Sequence, residues 1–64
     1  MKSYHVRIWD KYKPEAVAEG SVDAQNSKRA VELLEGGPVK QFRIPFEGEP
    51  RIYIGKQYVY EVSE

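Results

Sequence analysis

The chain has no cysteine and no threonine, and only one histidine, one tryptophan and one methionine among its 64 residues. Without cysteine, neither a disulfide nor a thiolate zinc site can supplement the core, and thiol nucleophilic catalysis is excluded. Four serines stand at Ser3, Ser21, Ser27 and Ser63, none in the glycine context of a nucleophile elbow. The lone His5 could act as a base in a small enzyme, but a single histidine on a strand reads more simply as a surface or interface residue. Phosphate loops are missing as well, since Gly36-Gly37 runs into Pro38 and Gly55-Lys56 lacks the rest of that motif. A metal site would have to gather carboxylates such as Asp10, Glu47 and Glu49, and nothing spaces them as a loop motif. Glu47-Gly48-Glu49 reads instead as a solvated turn. We therefore expect no catalysis, no metal and no cofactor.

Excess charge of one sign is also missing. Ten basic and ten acidic side chains cancel, so no tail or block attracts nucleic acid over long range. Long apolar runs are absent, well short of the roughly 18 residues of a membrane span, and the segment from Met1 to Val6 does not resemble a secretory leader. The expectation is a cytoplasmic protein that does not enter a membrane.

What is present suffices for a fold. A hydrophobic fraction of 41%, with five tyrosines, two phenylalanines and one tryptophan, argues against disorder. A chain of this length buries only about 60% of the surface exposed when unfolded, so stability is marginal and a homodimer is a natural way to add to it. We read residues 1–64 as one α+β domain.

Tyr4, Val6 and Ile8 alternate with His5, Arg7 and Trp9, the period-two signature of a half-buried strand. A charged loop ending at Pro14 follows. Ala16, Ala18, Gly20, Val22 and Ala24 then occupy every second position, predicting a second strand with one face of small residues. Asn26 suits a helix N-cap, Ala30, Val31, Leu33 and Leu34 follow at helical spacing, and Gly36-Gly37-Pro38 ends the helix. Such a short helix must dock on a sheet, and Ala30, Leu33 and Leu34 are its expected contacts.

Phe42, Ile44 and Phe46 alternate in a third expected strand, with Pro45 near its edge or end. The clearest hairpin signal spans Arg51 to Val62 around Gly55-Lys56. A two-residue loop there would set Tyr53 opposite Tyr58 and Ile52 opposite Val59. The expected architecture is thus a small antiparallel sheet of four to five strands, in the order β-β-α-β-β-β, with one helix packed on one face.

One helix covers one face only. With Val6, Ile8, Val22, Phe42, Ile44, Ile52 and Ile54 beneath it, the bare face would carry Arg7, Trp9, Arg43, Arg51, Tyr53, Tyr58 and Tyr60. Trp, Tyr and Arg are the types most enriched at energetically dominant interface positions. The expected function is a non-catalytic interaction module, a regulator or inhibitor, that binds a protein partner or its own copy. The competing readings are cross-strand tyrosine pairs that only stabilise the hairpin, and a single-stranded nucleic-acid surface that stacks bases on the rings. The neutral charge weighs against the latter. Lys28 and Arg29 in the first helical turn form a weaker candidate anion site, against the simpler alternative of ion pairs with Glu32.

Overall fold

The alternation around Tyr4, Val6 and Ile8 becomes strand β1, which runs from Lys2 to Asp10 in a computed structural model describing all 64 residues. β2 (Ala16–Ala24) returns antiparallel beside it and leads into helix α1 (Ser27–Glu35). β3 (Lys40–Gln41), β4 (Arg51–Ile54) and β5 (Tyr58–Ser63) complete the sheet. The spatial order is β2-β1-β5-β4-β3, every pair antiparallel, so the first and last strands are neighbours. This is the expected α+β class and element order. No helix is long and apolar enough to cross a membrane.

The helix has the caps its sequence implies. Asn26 is extended, and its side-chain oxygen accepts the Arg29 N–H at 2.8 Å. Gly36 takes φ 78° and donates its N–H to the Glu32 carbonyl at 2.9 Å, closing the last turn in a conformation a Cβ would disfavour. Its docking face contains Ala30 as expected but not Leu33 or Leu34. Ser27, Ala30 and Val31 are buried, whereas Leu33 and Leu34 are 55% and 43% exposed. The small residues let the helix axis approach the sheet closely, and Leu33 then falls on the far side of the cylinder.

The third strand is shorter than expected. Lys40 and Gln41 pair with Ile54 and Tyr53, and Phe42 adds one ladder bond by donating its N–H to the Ile52 carbonyl at 2.8 Å. Pro45 and Pro50 have no N–H to continue the ladder, and residues 43–49 leave the sheet as a loop. Phe42, Ile44 and Phe46 consequently do not lie under the helix; all three are exposed.

The β4–β5 hairpin turns one residue later than expected. Gly55 donates to the Tyr58 carbonyl at 2.9 Å, so Lys56 and Gln57 form the tip, and the pairs are Tyr53 with Tyr60 and Ile54 with Val59. Moving the turn by one residue moves the pairing by two, which preserves the faces. Arg51, Tyr53, Tyr58 and Tyr60 still share one side, and Ile52, Ile54 and Val59 the other.

Val6, Ile8 and Val22 lie on the helix side as expected, but the side of the β4–β5 hairpin that faces the helix is the reverse of the expectation. β1 and β5 pair Val6 with Val62, Ile8 with Tyr60 and Asp10 with Tyr58, which places the tyrosine side of the hairpin with Tyr4 and Val6 beneath α1. Tyr53 and Tyr60 are 3% and 2% exposed. Size and hydrogen bonding explain this. A nine-residue helix with an Ala-Val underside leaves space that large rings fill, and each ring must place its hydroxyl on a polar partner. The Tyr53 hydroxyl meets Ser27 Oγ at the start of the helix at 2.7 Å, and Tyr60 donates to Glu35 at its end at 2.5 Å. The rings thus bridge sheet and helix at both termini. Burial first, and then the Glu35 bond, raise the Tyr60 phenol well above the ordinary tyrosine range, so it remains a neutral donor.

Glu35 is the second half of that contact. It also accepts the Lys56 N–H at 3.0 Å, and the Tyr60 and Lys56 bonds hold its carboxyl below the usual glutamate range. A Cβ built on Gly55 would collide with this carboxyl group. Gly55→Ala is therefore expected to push Glu35 off both donors. It should cost about 1 kcal/mol, as should Glu35→Gln, since the site is open to water. Combined, the two changes should cost little more than either alone. A depressed carboxyl stabilises the fold above its unfolded value of 4.5 and loses that contribution as pH falls through the lower folded value. Urea melts from pH 6 to pH 2 should accordingly fall less steeply for both variants than for wild type.

Candidate functional site

The face away from the helix is laid out in rows by the register of the strands. One row crosses Lys40, Ile54, Val59, Trp9 and Ala16. The next crosses Ile52, Glu61, Arg7 and Glu19, with Phe42 continuing it at the β4 edge. A third brings Ser63, His5 and Ser21 side by side. The surface thus grades from apolar through charged to polar along the strands. It is not covered by any element of the chain.

Arg7 lies at the centre of the charged row. Its guanidinium carbon stands 5.1 Å from the centroid of the Trp9 ring, its Nε is 3.6 Å from Glu19 and its Nη1 is 3.9 Å from Glu61. Of the residues singled out from sequence, Arg7 and Trp9 are brought together on the uncovered face as expected. The others are not. Tyr53 and Tyr60 are in the core, Tyr58 is half-buried on the helix side opposite Asp10, and Arg51 lies on that same side with Nη1 3.3 Å from Ser27 Oγ. The parity of β5 relative to β1 decides all four, because Val62 must follow Val6 into the core.

Arg43 has a different role, inside the loop after β3. It grips Glu49 by donating from Nη1 and Nη2, at 3.1 and 3.0 Å, and lies 5.5 Å from the Phe46 ring centroid. Glu49 in turn accepts the Phe46 N–H at 2.8 Å, and its own N–H returns to the Phe46 carbonyl at 3.0 Å. Gly48, at φ 86°, supplies the positive φ that the third position of this type II turn requires. The Arg43 and Phe46 bonds hold the Glu49 carboxyl below its ordinary range.

This brace holds apolar side chains out in water. Phe42 is 59% exposed, Ile44 88% and Phe46 75%. Sequence reasoning missed them as surface residues because their alternation resembles a core strand. The contrary signal was there in Pro45, Pro50 and the intervening Glu47-Gly48-Glu49, which together cannot continue a ladder.

Chemistry on the bare face is limited. His5 Nε2 stands 2.6 Å from Glu19 Oε2, and Ser21 and Ser63 flank it in register, but neither serine hydroxyl bonds the imidazole. No group of three or more histidine, cysteine, aspartate or glutamate side chains is placed to hold a metal ion. In the first helical turn, Arg29 pairs with Glu32 at 3.7 Å, one of the two ion pairs of the simpler reading; the Lys28–Glu32 pair does not form. Lys28 is exposed beside it.

At the tip of β1, Asp10 ties two loops together by accepting the Tyr12 N–H at 2.9 Å and the Gln57 amide at 3.0 Å. Those two bonds keep its carboxyl below the ordinary aspartate value. Comparison with protein-family models, with curated proteins and with solved structures returned no match for this chain.

Proposed function

We propose that the protein is a small, non-catalytic interaction module of the cytoplasm, which regulates or inhibits a protein partner by docking the 42–46 loop and the adjoining uncovered sheet face against it. The observation that supports this reading is the braced exposure of Phe42, Ile44 and Phe46. Leaving large apolar side chains in water has a cost, and burying each fully would contribute about 1.5–3 kcal/mol. A loop already fixed by Arg43 and Glu49 loses little further freedom on docking, so more of that energy reaches the complex. Ile52, Ile54, Val59 and Trp9 extend the apolar area across the sheet, and Arg7 and Lys40 edge it. The nucleic-acid reading loses its support here. The rings it required are Tyr53, Tyr58 and Tyr60 on the helix side, and the one arginine beside Trp9 is flanked by two glutamates.

The test is a comparison of surfaces. Immobilised wild-type chain, exposed to extract of its own cells, should retain a protein that Ile44→Asp loses by about tenfold or more, a change of about 1.4 kcal/mol. Lys28→Glu, on the opposite side, should retain it fully. Ile44→Asp should melt within about 0.5 kcal/mol of wild type, because the side chain it replaces is exposed. Identical retention by wild type and Ile44→Asp would refute the reading.

A further inference from the structure

We infer that the free edge of β2 is a self-association site, at which β2 of a second copy adds antiparallel with Gly20 on the twofold axis. The two edges of the sheet are built differently. β3 is two residues long and is followed by a loop containing Pro45, both common ways of blunting an edge. β2 is nine residues long, contains no proline, lysine or arginine, and has no strand on its outer side. Its one irregularity, the register step opposite Ile8 and Trp9, lies at its beginning and leaves Ala18 to Ala24 regular.

The sequence of that strand is compatible with itself. Centring the pair on Gly20 sets Glu19 opposite Ser21 and Asp23 opposite Val17, so like charges meet only at the longer diagonal spacing. Glu19 is moreover already engaged by His5 and Arg7 of its own chain. On the helix side the same register sets Ala18 opposite Val22 of the second copy. Ala18 there forms the β2 border of an open groove of about 440 Å³ that runs inward over Ile8, Tyr58 and Tyr60 and beside Leu34, the helix residue left 43% exposed. A second copy is thus the occupant that satisfies the unpaired backbone with no like charges set directly opposite. This site lies at the opposite edge of the sheet from the 42–46 loop and does not depend on the docking reading above.

The absence of cysteine makes the test direct. Antiparallel partners lie about 4.5–5.5 Å apart at Cα, within disulfide range. The space beside Gly20 is empty, so Gly20→Cys adds a side chain without a clash. Under a copper–phenanthroline oxidant it should form a covalent dimer. Asp23→Cys, whose counterpart would lie six residues along the neighbouring strand at roughly 20 Å, should not. By light scattering the wild type should approach twice the 7.4 kDa chain mass as concentration rises into the hundreds of micromolar. Ala18→Lys should raise the dissociation constant about tenfold or more while leaving the circular dichroism unchanged. A wild type that stays at the mass of one chain throughout, or equal cross-linking at positions 20 and 23, would overturn the inference. A dimer abolished by Ile44→Asp and untouched by Ala18→Lys would also overturn it, by moving the contact to the loop.

Discussion

Tyr60→Ala is expected to leave the chain largely unfolded at room temperature. The residue is 2% exposed, lies at the centre of the sheet between Ile8 of β1 and Tyr53 of β4, and joins the sheet to the end of α1 through Glu35. Removing a buried aromatic ring costs about 3–5 kcal/mol in transfer and cavity energy. A domain of this length has about 3–10 kcal/mol in total, at 0.05–0.15 kcal/mol per residue. The ring and its hydroxyl can be separated experimentally. Tyr60→Phe keeps the ring and should lose less, about 1.5–3 kcal/mol at most, the share of a hydrogen bond to a charged group. Urea unfolding followed by far-ultraviolet circular dichroism should therefore rank wild type above Tyr60→Phe, with Tyr60→Ala lacking a cooperative transition. A Tyr60→Ala variant with a wild-type midpoint would mean that the ring is not part of the core.

Ala30→Leu should be nearly as damaging, for the opposite reason. Ala30 is 0% exposed on the helix face that packs on the sheet, and three added carbons have no space there. Overpacking of this kind costs about 1–3 kcal/mol, and more where backbone has to move. The informative control is Leu33→Ser. Leu33 is 55% exposed, so its loss should shift stability by only about 0.5 kcal/mol. A helix that used its leucines for docking would give the reverse order. Thermal melts of the two variants beside wild type decide between these orientations.

That contrast marks where the sequence is legible. Local chemistry was readable: the Asn26 and Gly36 caps, the alternation of β1, and the division of the hairpin into an Ile-Val side and a Tyr side all stand. Hydropathy misleads wherever it is used to choose between two sides. Isoleucine is more apolar than tyrosine, which argues for Ile52 and Ile54 inside, yet Tyr53 and Tyr60 can fill a wide gap and also bond Ser27 and Glu35 across it. Leu33 and Leu34 outrank Ala30 on any scale, but the closeness of helix and sheet selects the smaller residue. The loop shows a third limit. Phe42, Ile44 and Phe46 alternate as a strand would; Pro45, Pro50 and the turn between them signal that the ladder stops, but the outward hold comes from the Arg43–Glu49 pair, formed across six positions. Each of these outcomes is set by which elements become neighbours, information that short-range periodicity does not contain. Of the candidate surface, Arg7 and Trp9 were therefore recoverable from β1 alone. The rest required the β1–β5 register.

Trp9 stands on the uncovered side of the sheet rather than in the core, and it is the chain's only indole. The half-buried ring should shift its wavelength maximum when a molecule settles over Arg7 and Val59, and also when the sheet melts and exposes it. The near-ultraviolet circular dichroism of the enclosed Tyr53 and Tyr60 should change on melting alone. The two signals together distinguish docking, which moves only the first, from melting, which moves both.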